Sequence, residues 1–118
     1  MLVAGGLDNG GNALKEAELF DPASGTFSSA GSMQSFHWIH IATLLSDGTV
    51  LVTGGRDFNN RSISAAELFD PASGTFALTG SMTTARELHK ATLLNDGRVL
   101  VTGGSDNGSF LATAELYQ

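Results

Sequence analysis

Apolar and polar residues alternate in a pattern that resets along the chain. Met1 to Gly6 (MLVAGG), Val50 to Gly55 (VLVTGG) and Val99 to Gly104 (VLVTGG) are short apolar runs, each closed by a glycine pair. Such a run predicts a buried strand whose end needs positive φ or a close backbone approach. Ahead of the second and third runs stand IATLLSDGT from Ile41 and KATLLNDGR from Lys90. Asp47-Gly48 and Asp96-Gly97, set between two apolar segments, predict hairpins, because a type I′ turn needs positive φ at both central positions. After each glycine pair a polar loop leads into Ala-Glu-Leu-aromatic at Ala17 to Phe20, Ala66 to Phe69 and Ala114 to Tyr117. Alternation there puts Leu on one face of a strand and Glu with the aromatic on the other. Asp-Pro-Ala-Ser-Gly-Thr then supplies turn chemistry, and Thr26 to Ala30 and Thr75 to Thr79 predict weak edge strands. No stretch sustains a 3.6-residue period, so the expected fold class is all-β, nearly without helix.

The resets are a tandem repeat. AELFDPASGTF occurs at Ala17 to Phe27 and again at Ala66 to Phe76, a step of 49 residues that also carries Gly5-Gly6 to Gly54-Gly55 and to Gly103-Gly104. The predicted units are 1–38, lacking the strand before the glycine pair; 39–87, complete; and 88–118, lacking the strand after the aromatic. The complete unit has strands over His40 to Leu45, Thr49 to Thr53, Ala65 to Phe69 and Thr75 to Thr79. A unit near fifty residues, with a hairpin ending in Gly-Gly and a strand ending in an aromatic and an Asp-Pro turn, resembles the kelch repeat, in its bacterial, galactose-oxidase-like form. Phe27 and Phe76 stand where that family usually has tryptophan. The resemblance implies kelch-type β-propeller blades, each a four-stranded antiparallel sheet. Rings in the family hold six or seven blades, and this chain supplies about two and a third. Unpaired blade faces would leave Val, Leu and Phe uncovered. The expected partner is therefore the chain itself, a homo-oligomer that completes the partial propeller, with a dimer as the first expectation. The equally plain alternative is that the sequence is a piece of a longer propeller.

Charge and composition narrow the functions. A hydrophobic share of 42%, with fifteen glycines against two prolines, describes a folded chain rather than a disordered one. A net charge of −6, with six scattered basic residues, argues against nucleic acid. The absence of cysteine removes disulfides and thiolate metal sites. No apolar run approaches the roughly eighteen residues of a membrane span, so no membrane partner is expected. MLVAGGLDNGG lacks the charged and apolar regions of a signal peptide, so the sequence as it stands predicts a cytoplasmic location.

Residues repeated in every unit are assigned to the scaffold. Glu18, Glu67 and Glu115 are expected to accept hydrogen bonds between units, since a buried strand carboxylate needs donors. His40 and His89 are also equivalent copies. Residues that break the repeat are the binding candidates. Phe36-His37-Trp38-Ile39 stands opposite Ala85-Arg86-Glu87-Leu88. The resemblance puts this loop on one face with the loop after Gly-Gly, grouping His37, Trp38 and Arg86 with Arg56, Asp57, Phe58, Asn60 and Arg61 as a surface for protein or glycan. His37 and His40, three residues apart, would point to opposite faces on a strand and match no standard zinc spacing, an objection that weakens if Phe36 to Trp38 is a loop. No nucleophile elbow or phosphate loop occurs, and Tyr117, the only tyrosine, lies far from the histidines in the repeat frame, which argues against copper-oxidase chemistry. The reading leans to a self-assembling, non-enzymatic interaction module without cofactor. The alternative is a low-efficiency metal-dependent hydrolase in which His40, His89 and Asp57 hold a divalent metal ion at the oligomer centre and activate water.

Overall fold

The alternating segments form strands and the glycine-bearing turns join them. The computed structural model describes residues Met1–Gln118 and contains no helix, so none is long and apolar enough to cross a membrane. The first sheet is three-stranded and antiparallel, in the order β1 (Leu2–Ala4), β2 (Glu16–Asp21), β3 (Thr26–Ser32). The second has four strands in chain order, β4 (Ile41–Leu44), β5 (Val50–Thr53), β6 (Ala66–Asp70) and β7 (Thr75–Thr79). Between Thr102 and Ala114 lies a small hairpin, β10 (Ser105–Asp106) and β11 (Ser109–Phe110). The third sheet is three-stranded, pairing β8 (Lys90–Leu93) and β12 (Ala114–Tyr117) on either side of β9 (Val99–Thr102).

Two details depart from expectation. His40 lies just outside β4, because Ile39 before it has φ 48°, as its counterpart Leu88 has φ 53°, and this left-handed step turns the chain into the strand. The β10–β11 hairpin, unforeseen in the variable loop, turns on Asn107-Gly108 at φ 47° and 93°.

Strand alternation decides where the core sits. Val52, Phe69 and Phe76 on one face of the second sheet pack with Leu2, Ala4, Ala17, Leu19, Ala30 and Met33. Leu51, Ala66 and Leu68 on its other face pack with Val99, Val101, Ala91 and Tyr117 of the third sheet. The molecule thus has two apolar clusters, and the middle sheet contributes to both. Each fully buried Val, Leu or Phe adds about 1.5–3 kcal/mol of apolar stabilisation.

The outer faces repeat the inner ones without being covered. Phe20 and Phe27 pair as Phe69 and Phe76 do, with ring centroids 5.0 and 4.9 Å apart. Phe69 and Phe76 are 1% and 6% exposed, but Phe27 is 56% exposed. Val52 is fully buried and its counterpart Val3 is 46% exposed. On the far side of the third sheet Leu116 is 45% exposed, while Leu68 at the same position of the second sheet is half-buried against the third.

Candidate functional site

The polar groups converge where one sheet is joined to the next. Residues 33–40 link β3 to β4, and residues 80–89 link β7 to β8. The first link leans on its own sheet through the Met33 N–H to the Lys15 carbonyl, at 2.7 Å, and the His37 N–H to the Leu14 carbonyl, at 3.3 Å. It then reaches the second sheet. The N–H groups of Gln34 and Ser35 donate to the Glu67 carboxylate at 2.6 and 2.8 Å. The His37 ring sets Nε2 3.0 Å from a Glu67 oxygen and Nδ1 2.8 Å from the Gly54 carbonyl.

The second link repeats this clasp one unit on. Thr83 and Thr84 N–H groups donate to Glu115 at 2.6 and 3.1 Å, and the Thr83 hydroxyl adds a bond of 2.5 Å. Arg86 takes the place of His37. Its Nε donates to Glu115 at 3.1 Å and its Nη1 to the carbonyls of Gly103 and Thr113 at 2.8 and 3.0 Å. The slot lies between a carbonyl and a carboxylate, so it needs donors on both sides, which a guanidinium supplies and a histidine ring supplies in its doubly protonated, imidazolium form. The glycine pairs make room for the clasps. A side chain on Gly54 would run into the Arg86 carbonyl and one on Gly55 into the Trp38 carbonyl, while the Gly55 N–H donates to the Arg86 carbonyl at 2.7 Å.

These contacts determine the electrostatics. Burial pushes the Glu67 carboxyl up, but bonds from His37, Gln34 and Ser35 outweigh it and hold the group below the usual carboxylate range. Glu115 behaves alike, with burial opposed by Thr83, Arg86 and Thr84. Glu87 is held low first by the Arg56 guanidinium, against burial and with help from Ser105. Arg56 forks onto Glu87 through Nε and through Nη2 at 2.6 Å, donates from Nη1 to Asn60 at 2.7 Å, and lies 5.7 Å over the Trp38 ring. The Trp38 indole N–H donates to the Asp57 carbonyl at 3.3 Å.

Several expected site residues therefore change place. His37 and Arg86 are fully buried, so they are clasp residues and do not belong to an exposed binding surface. His37 precedes the strand rather than lying on it, so of the two alternatives the loop holds, and its ring centroid is 5.8 Å from that of His40. Asp57 caps its own loop, accepting the Asn59 and Arg61 N–H groups at 2.8 and 3.0 Å. His89 shares a hydrogen bond of 2.9 Å with the Thr53 hydroxyl, and the Nδ1 atoms of His40 and His89 are buried without a partner. No three His, Cys, Asp or Glu side chains converge in the chain as a metal site would require, so His40, His89 and Asp57 are not brought together.

What remains accessible on the loop face is a recess of about 410 Å³ lined by Gln34, Ser35, Phe36, Asp57, Phe58 and Asn59. Phe36 and Phe58 meet across it with centroids 5.4 Å apart, Lys15 lies 5.2 Å over the Phe36 ring, and Phe58 is 58% exposed. Phe36 was not singled out from sequence, although it stands where the next unit has Ala85. Comparison with models of known protein families finds no match, and no curated protein matches the chain.

Proposed function

We propose that the chain is an interaction module of kelch-type propeller blades whose first partner is a second copy of itself. One observation carries this reading: residues buried between sheets inside the molecule have exposed counterparts on the first sheet. Val52 and Phe76 are 0% and 6% exposed, against 46% and 56% for Val3 and Phe27. An apolar sheet face of this kind favours association over solvent exposure. Light scattering of the 12.2 kDa chain at micromolar concentration should give at least twice the monomer mass, and Phe27→Asp should return the monomer. A monomeric wild-type chain would sink the proposal.

A second reading is favoured by the recess lined by Phe36 and Phe58. Aromatic faces with an amide-bearing rim suit the apolar side and hydroxyls of a sugar ring, so the ligand class proposed for this recess is a glycan. Binding there should shift the emission of Trp38, the only tryptophan, whose N–H donates to Asp57 beside the recess. Titration with a panel of oligosaccharides should produce the shift and Phe58→Ala should abolish it. An unchanged spectrum across the panel removes this reading.

A further inference from the structure

Two copies of a chain can meet like face to like face around a two-fold axis, or unlike face to unlike face, head to tail. We infer that this chain associates head to tail, with the third sheet of one copy covering the first sheet of the next. The inference rests on the self-association proposed above and adds its polarity.

The same joint already occurs twice within the molecule. Between the first and second sheets, Leu2, Ala17 and Leu19 meet Val52, Phe69 and Phe76. Between the second and third, Leu51, Ala66 and Leu68 meet Val99, Val101 and Tyr117. Each sheet therefore has a Leu-Ala face that points forward along the chain and a Val-Glu-aromatic face that points back. The cross-strand pairs fix this sorting, since Leu51 opposes Leu68 and Val52 opposes Glu67.

The two uncovered faces match the two apolar halves of that joint. In the third sheet Leu116 opposes Leu100 and Ala114 opposes Thr102, giving a forward face with nothing in front of it. In the first sheet Val3 opposes Glu18 and Phe20 opposes Phe27, giving a backward face with nothing behind it. Joining two first-sheet faces would press Glu18 toward Glu18, two like charges in one apolar contact, which is strongly disfavoured. Joining two third-sheet faces would set Leu and Ala against Leu and Ala, without the aromatic side chains that fill both internal joints. Head-to-tail contact avoids both, because the forward face carries no carboxylate.

Sedimentation velocity on two surface variants of the full chain tests the polarity. Phe27→Asp blocks the first-sheet face and Leu116→Asp the third-sheet face, and both residues are exposed enough that the sheets should persist, which circular dichroism checks. Should either Asp variant unfold, the Ser variant at the same position replaces it. Head-to-tail association predicts that each variant alone binds itself on the order of a hundredfold more weakly than wild type, because a charge is carried into every contact. Mixed in equal amounts, the two should form a one-to-one complex through the one joint that remains intact. If Leu116→Asp alone still associates like wild type, or Phe27→Asp alone does, like faces meet and the polarity is overturned while self-association stands. A mixture that stays monomeric when wild type associates also overturns it. Only a monomeric wild type would remove the self-association beneath it.

Discussion

Glu67→Ala is expected to destabilise the fold by about 3–5 kcal/mol, whereas Glu18→Ala, the same change one unit earlier, should stay within about 0.5 kcal/mol. Both residues occupy the same strand position, and only their surroundings differ. Glu67 is fully buried and accepts two N–H groups and the His37 ring. Removing it leaves those donors buried beside a void, which combines an unsatisfied polar group with a lost partner. Glu18 is exposed and no link from another sheet reaches it. For a domain of this size the Glu67 loss lowers the melting temperature by roughly 10–20 °C. Calorimetry and urea unfolding in a Phe27→Asp background keep association out of the comparison. Equal losses at Glu18 and Glu67 would refute the clasp as the source of the difference. Glu67→Gln, which keeps one acceptor oxygen, should fall between the two.

Acid should weaken the fold well above the pH at which its carboxylates titrate. Burial, then the neighbouring charges of His37 and His89, lowers His40 from 6.5 to about 4. Burial, then Arg86, lowers His89 from 6.5 to about 4. The folded chain holds both rings neutral, while the unfolded chain takes up protons below 6.5. Their contribution is therefore intact above 6.5, declines as pH falls toward 4, and levels off below that. At about pH 5 each ring costs about 2 kcal/mol of stability. Glu67, Glu87 and Glu115 are shifted downward, so they retain their contribution to lower pH and lose it only below their ordinary value of 4.5. Urea midpoints at about pH 7.5 and about pH 5 should differ by an amount equivalent to about 4 kcal/mol in wild type, and by much less in His40→Gln/His89→Gln. A wild-type midpoint that does not move across this range would contradict the burial of neutral rings.

Much of the architecture was visible in the letters because it depends on period and turn chemistry. Alternation at Ala66 to Phe69 assigned Leu68 and the Glu67–Phe69 pair to opposite faces, and the two clusters divide along that line. Asp47-Gly48 and Asp96-Gly97 marked the turns between β4 and β5 and between β8 and β9. The recurrence of Glu at one strand position signalled a polar joint between sheets, which Glu67 and Glu115 form.

The error at His37 and Arg86 has a physical cause. Differing letters at equivalent positions read as a break in the scaffold, but the slot selects for hydrogen-bond donors rather than for one side chain. A cation-capable residue at both positions, always one repeat-joint away from a glutamate, was the available signal. The Phe36–Phe58 recess depends on how two loops twenty-two residues apart lean together, which repeat alignment does not encode. Asp57 lines the recess but is not drawn to the histidines: one of its carboxylate oxygens accepts two N–H groups within its own turn.

Because each clasp draws its donors from one link and its acceptor from the next sheet, no joint depends on a residue more than one repeat away. Duplicating one 49-residue unit would thus carry both halves of a new joint, glutamate and donor loop together, with no redesign of a shared core. A fold organised in this way can lengthen by copying, and its loop surfaces are free to diverge as long as a donor stays in the slot.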